Sequence, residues 1–320
     1  MQAQQMQRMQ NLLVLNKPLG VRSTRCVDVV RKALQAVGRN VKVGHGGTLD
    51  SSASGVLVLL IGRATRLSSL VMQMPKSYEV LVRLGTETST CDYTGEATGE
   101  GDWSTVAQSD IERALPSFLG WQMQVPPEIS AVHVDGERAH RIARGGGTPE
   151  IEARPVFVRR IATISALSPA GEFGLSISCG KGTYVRSVVR DLGRRLGCGA
   201  HVAALKRTAT GPFGLDRSFD PTSLLSADNW KSGTDELMRS TLPLEEIAAF
   251  LPSYTPRDES DDRLERGISL PLTEARRRTF GHFCPDETAC VFTARAFTVA
   301  RAEVVDGGPV LVPTVNILKN

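Results

Sequence analysis

Six consecutive apolar residues, Val56 to Ile61 (VLVLLI), stand between Gly55 and Gly62 and form the longest apolar run in the chain. A run that short reads as a buried segment of a core, because a bilayer-spanning helix needs about 20 apolar residues. Just before it lies a glycine-rich turn, Gly44-His45-Gly46-Gly47-Thr48-Leu49-Asp50. Its glycines would let a bulky ligand's backbone approach closely. Asp50 falls between turn and apolar segment, a position that holds a side chain at a cleft edge. An aspartate after a turn is commonly a cap. As a nucleophile or base it would need a cation to keep it ionised, and composition does not choose that cation.

Other elements follow from pattern. Leu12 to Leu15 reads as a strand, ended by the turn Lys17-Pro18-Leu19-Gly20. Ser23 reads as the N-cap of a helix with apolar face Val27, Val30, Leu34 and Val37, stopped by Gly38. Strands are predicted over Val41 to Val43, Lys76 to Leu84 and Ile129 to Val134, the last closing on Asp135-Gly136. A helix is predicted over Ser104 to Leu115, and two strands around Pro169-Ala170-Gly171. From Thr183 runs a helix with apolar face Val185, Val188, Val189, Leu192 and Leu196, ended by Gly197. Arg186, Arg190 and Arg194 form a basic stripe on another of its faces. Short β-like runs after residue 251 suggest a small, separate, mostly β domain. Strands and helices alternate without regular βαβ spacing, which favours an α+β fold.

The net charge of +4 conceals an uneven distribution. Residues 1–49 carry +7 and residues 181–210 carry +6, leaving −9 for the rest. Residues 86–115 alone hold seven acidic residues and one Arg. Two basic segments could form one nucleic-acid-facing surface if the fold joins them. The first ten residues, MQAQQMQRMQ, have no signal-peptide core. Cys26, Cys91, Cys179, Cys198, Cys284 and Cys290 contain no C-x-x-C pair and read as thiols of a cytoplasmic protein. His282, Cys284 and Cys290 lack a nearby fourth ligand, so no metal site is expected. Gly180-Lys181-Gly182-Thr183 looks like a Walker loop, but glycine spacing and Gly182 after the Lys argue against it.

Together these motifs resemble the bacterial TruB family of tRNA pseudouridine synthases. Gly44 to Asp50 with Ser54-Gly55-Val56-Leu57 is similar to the family's G-H-x-G-x-L-D-x-x-A-x-G-x-L motif. Four more blocks agree in order. They are Leu15 to Gly20; Lys76-Ser77-Tyr78 with Leu84-Gly85, Thr86, Thr88, Asp92 and Gly95; Gln124-Val125-Pro126-Pro127 with Ser130-Ala131, Gly136 and Ala143-Arg144; and Gly180 to His201 with Leu205. Gly46, Ser51, Ser54, Ile129 and His133 depart from the usual pattern.

The resemblance implies a pseudouridine-synthase catalytic fold with a mixed, largely antiparallel sheet over residues 11–245. It also implies a PUA-like RNA-binding domain over residues 251–316. The implied reaction isomerises uridine-55 in the T-arm loop of tRNA, after the base is flipped out. Asp50 would be the essential carboxylate and Arg186 its ion partner. Tyr78 would stack on the base, Tyr184 would line the pocket, and Leu205 would pack on the uracil. His45 would engage loop nucleotides, and Lys17 would contact phosphate or support the site. The acidic charge would then point away from a single basic cleft. No cofactor, membrane or obligatory protein partner is expected. Two other readings are the catalytic subunit of an RNA-guided particle and a non-catalytic RNA-binding protein.

Overall fold

The computed structural model describes residues 11–130, 150–226, 230–258, 261–279, 284–293 and 295–318, together with 133–134, 137–138, 142 and 147. Ala131, Asp135, Gly136, Ala143, Arg144 and His282, singled out above, lie outside the described residues.

A ten-stranded sheet organises the chain. Its strands are β1 (Asn11–Lys17), β2 (Val43–His45), β3 (Ala53–Ile61), β4 (Lys76–Leu84), β5 (Gly120–Gln124), β6 (Arg154–Thr163), β7 (Glu172–Cys179), β8 (Ala200–Thr210), β9 (Phe213–Gly214) and β10 (Thr241–Pro243). The order is β10-β1-β3-β8-β4-β7-β6-β5, with β2 on β3 and β9 on β8. Among the described ladders of this sheet only β3–β8 is parallel, so the fold is α+β with a mixed, largely antiparallel sheet.

The apolar run of β3 is buried on both faces, as its unbroken hydrophobicity requires. Leu57, Leu59 and Ile61 pack with Cys26, Val29, Val30, Ala33 and Leu34 of helix α1 (Ser23–Ala36). Val56, Val58 and Leu60 face the opposite way, toward Leu67, Val71, Phe292 and Phe297. Helix α2 (Val185–Arg195) lays Val185, Val188, Val189 and Leu192 over the sheet beside Val80, Val82, Phe173 and Leu175.

Several predicted boundaries shift. Arg22, not Ser23, is the N-cap of α1, and the buried stripe is Cys26-Val29-Val30-Ala33-Leu34. The hydroxyl of Ser23 is engaged elsewhere, as described below. The strand predicted at Val41 begins at Val43. The helix predicted from Ser104 covers Gln108–Ala114, because the Asp110 carboxylate accepts from the Ala107 backbone N–H (2.8 Å) and starts the helix there. Tyr184 caps α2, so that helix starts at Val185. Of the predicted strand Ile129 to Val134, Ile129 and Ser130 are not in a strand, while His133–Val134 pair with Glu137–Arg138 in a two-residue ladder.

Residues 253–318 form a six-stranded sheet that includes Thr288–Phe292, Ala296–Val305 and Gly308–Leu318. It shares a core with the large sheet through Cys290, Phe292, Phe297, Val299 and Ile317. No helix among the described residues is long and apolar enough to cross a membrane. Among them no group of three or more His, Cys, Asp or Glu could hold a metal ion.

Candidate active site

The register of the sheet aligns the site's foundations. Lys17 of β1 lies opposite Gly55 of β3, and Gly55 opposite Arg207 of β8. Arg207 lies opposite Tyr78 of β4. Just outside this row, the turn between β2 and β3 carries Asp50. That turn is pinned on every side. The Ser23 hydroxyl donates to Leu49 O (2.7 Å) and accepts from Leu49 N–H (2.9 Å). Gly20 N–H donates to Ser51 O (2.8 Å), and Ala53 N–H to Asp50 O (3.2 Å). The Arg207 guanidinium ties both ends of the turn, donating to Thr48 O (3.1 Å) and Val56 O (2.6 Å).

Two glycines of the motif serve internal packing, not ligand approach. A Cβ on Gly46 would lie 2.2 Å from Val71 Cγ1. A larger residue there would require Val71 to shift. A Cβ on Gly55 would lie 2.2 Å from Arg207 O, and its φ of +104° is open to glycine.

Asp50 projects into a cleft of about 650 Å³ lined also by Ser52, Thr90, Asp92, Ile129 and Arg186. Arg186 Nη2 lies 2.8 Å from Asp50 Oδ2. The Arg186 side chain is 6% exposed and that of Asp50 is 49% exposed, so a buried cation holds a carboxylate that still faces the cleft. Arg186 also donates to Thr90 O (2.8 Å) and Ile129 O (3.1 Å), which fixes its fork.

Asp92 stands behind this pair, its Oδ2 3.9 Å from Arg186 Nε. Its carboxylate accepts from Thr90 Oγ1 (2.7 Å), Thr94 N–H (3.0 Å), Thr94 Oγ1 (2.5 Å) and Ser52 Oγ (2.8 Å). Burial pushes its pKa up, but hydrogen bonds from Thr94, Thr90 and Ser52 outweigh that and hold it below the ordinary aspartate value.

The tyrosines flank the carboxylate. Burial pushes the Tyr78 phenol up to about 12, with Arg207 and Asp50 among its electrostatic neighbours. The Gln124 amide clamps Tyr184, donating to its carbonyl (3.1 Å) and accepting from its N–H (2.8 Å). Burial also raises the Tyr184 pKa, against a hydrogen bond with Ser130. Leu205 lies opposite Ala53 and Val80 in one apolar cluster with Leu49 and Tyr78.

His45 sits at the far end of the turn, its Nδ1 accepting from Gly47 N–H (3.3 Å). Burial, then Arg207, lowers its pKa and favours the neutral ring. Lys17 is fully buried and donates to Pro18 O (2.9 Å) and Val21 O (2.7 Å). Its two carbonyl partners lie in the loop whose Gly20 N–H holds Ser51 O. Burial draws its pKa down to about 8.

Two acidic residues of the 86–115 segment turn toward the basic helix rather than away from it. Asp92 backs Arg186, and Glu87 forms a two-pronged pair with Arg194 (2.8 Å). Arg190 is likewise engaged, with Asp191 (2.8 Å) and Val125 O (3.0 Å). The stripe is a scaffold of ion pairs more than a free basic face.

Residues 31–185 match the model of the TruB family pseudouridylate synthase N-terminal domain, and residues 186–249 that of the tRNA pseudouridylate synthase B C-terminal domain. A tRNA pseudouridine synthase B from Dinoroseobacter shibae is 42% identical over 255 residues, 80% of this chain and 81% of that protein. The chain belongs to the TruB family. A second member, from Pseudomonas aeruginosa, is 47% identical over 204 residues, 64% of this chain and 65% of that protein. Outside these close relatives, the TruB chain shares its fold with a solved Cbf5-Nop10-Gar1 complex, at a TM-score of 0.71 and 23% identity. That match covers 99% of this chain and 86% of the other. Residues 253–318 lie beyond both TruB family models.

Sequence reasoning missed Arg207, Ser52 and the clamp role of Gln124. Gln124 and Asp92 stood inside quoted blocks, but no periodic signal marks Arg207 or Ser52. Their partners are 40 to 159 residues away in sequence.

Proposed function

We propose that this chain converts uridine-55 in the T-arm loop of tRNA to pseudouridine, with Asp50 as the essential carboxylate. Family membership makes the chain an isomerase of tRNA uridine. The observation that carries the finer reading is the buried Arg186 holding a half-exposed Asp50 at 2.8 Å in a cleft. The reaction breaks the N1–C1′ bond and joins C5 to C1′ with no change in composition, so it calls for no redox partner. The uridine must leave its stack, at a cost of a few kcal/mol.

Within the cleft Arg186 grips one oxygen of Asp50 and fixes where the other points. Tyr78 and Leu205 bracket the uracil plane and Tyr184 closes the pocket beside the carboxylate. His45, neutral, engages loop nucleotides, and Lys17 braces the turn. Residues 11–245 form the catalytic body and residues 251–316 a PUA-like RNA-binding domain. The stand-alone reading is favoured over an RNA-guided subunit by the 42% identity to a tRNA pseudouridine synthase B against 23% to the Cbf5 chain. Incubating the purified chain with an unmodified tRNA transcript, then mapping pseudouridine by nucleotide, tests the reading. Modification at the T-loop uridine without added protein or guide RNA is expected; none, or modification elsewhere, overturns it.

A further inference from the structure

We propose that Ser52 is a positioning residue that divides the Arg186 guanidinium between two carboxylates, holding Asp92 back so that Arg186 serves Asp50. The inference rests on the catalytic reading of Asp50 given above. Ser52 stands two residues after Asp50 in the pinned turn, and its hydroxyl reaches across to Asp92 Oδ2 at 2.8 Å. The same oxygen faces Arg186 Nε at 3.9 Å, while Arg186 Nη2 contacts Asp50 at 2.8 Å. The other oxygen of Asp92 is occupied by Thr90 and Thr94. Ser52 is therefore the donor that competes directly with Arg186 for Oδ2. Without it, a buried carboxylate oxygen short of one donor would draw the guanidinium inward, because an unsatisfied buried anion is costly. Arg186 would then move off Asp50, and the carboxylate would lose its alignment. The bond also ties the catalytic turn to the acidic segment, 40 residues away.

Ser52→Ala removes the donor with little change in volume, and Ser52→Thr keeps it. Under single turnover with excess enzyme on an unmodified tRNA transcript, Ser52→Ala is expected to slow conversion roughly tenfold, the scale of one hydrogen bond to a charged group. Its tRNA affinity is expected to stay within about twofold, and Ser52→Thr to recover most of the rate. In an Asp92→Asn background the same Ser52→Ala change is expected to cost under about twofold, since neighbours acting through one another are non-additive. An unchanged rate, equal losses in both backgrounds, or a loss confined to affinity overturns the inference. A substrate-free readout separates it from the functional reading. The Arg186 Nε–H resonance of ¹⁵N-arginine-labelled protein should shift in Ser52→Ala and return in Ser52→Thr. A resonance that does not move overturns the inference even if the wild type proved inactive on tRNA.

Discussion

At the scale of single residues, the site is a matter of which charge is buried and which is not. Arg186 is buried and holds Asp50 through a charge-assisted bond, with two carbonyls fixing its remaining donors. Arg186→Met keeps the side-chain bulk and removes the charge. It is expected to lower single-turnover conversion about a hundredfold, equivalent to about 3 kcal/mol for such a bond. A rate within a few-fold of wild type would remove the pairing from the account. Asp92 gives a pH signature. Its folded pKa lies below the ordinary value, so its contribution to stability is present above about pH 4 and is lost as pH falls through the folded value. Urea unfolding should show wild type losing more stability than Asp92→Asn between about pH 5 and pH 2. Asp50, Arg186, Tyr78 and Tyr184 were legible in the sequence because they sit in short, specific blocks. Arg207 and Ser52 were not, since their roles come from contacts between strands and turns distant in the chain.

At the scale of elements, α2 carries Arg186 and the turn before β3 carries Asp50, and the packing of α2 relies on glycine. Gly193 faces the start of β8, where a Cβ would lie 2.2 Å from Ala200 N and 2.4 Å from Gly199 C. On helix propensity alone Gly193→Ala should stabilise α2 by about 1 kcal/mol. The clash is with backbone, which cannot rotate away, and overpacking costs about 1–3 kcal/mol. The clash should win. Thermal or urea unfolding is expected to show net destabilisation, with reduced activity as the helix lifts off the sheet. A more stable, fully active variant would contradict that packing. Strand and helix identities were readable from periodicity and boundaries less so. The start at Gln108 depended on the Asp110 carboxylate, and the inward Cys26-Val29-Val30 stripe of α1 is the face that packs on Leu57, Leu59 and Ile61 of β3.

At the scale of the molecule, the two positive segments of the sequence do converge, but chiefly to build the site. The N-terminal segment supplies Lys17, Gly20 and Ser23, which fix the Asp50 turn, and the later one supplies Tyr184, Arg186, Leu205 and Arg207. The acidic stretch joins them through Asp92 and Glu87. Net charge could signal a polyanionic partner only weakly, because Lys17, Arg186, Arg190, Arg194 and Arg207 are engaged within the protein. The central claim is that Asp50, held by Arg186, is the group on which the chemistry depends. Single-turnover conversion of an unmodified tRNA transcript by Asp50→Asn, with binding of the same tRNA followed in parallel, tests it most directly. The expected result is no detectable pseudouridine with tRNA affinity close to wild type. Pseudouridine formation by Asp50→Asn at a rate near that of the wild type would contradict the account.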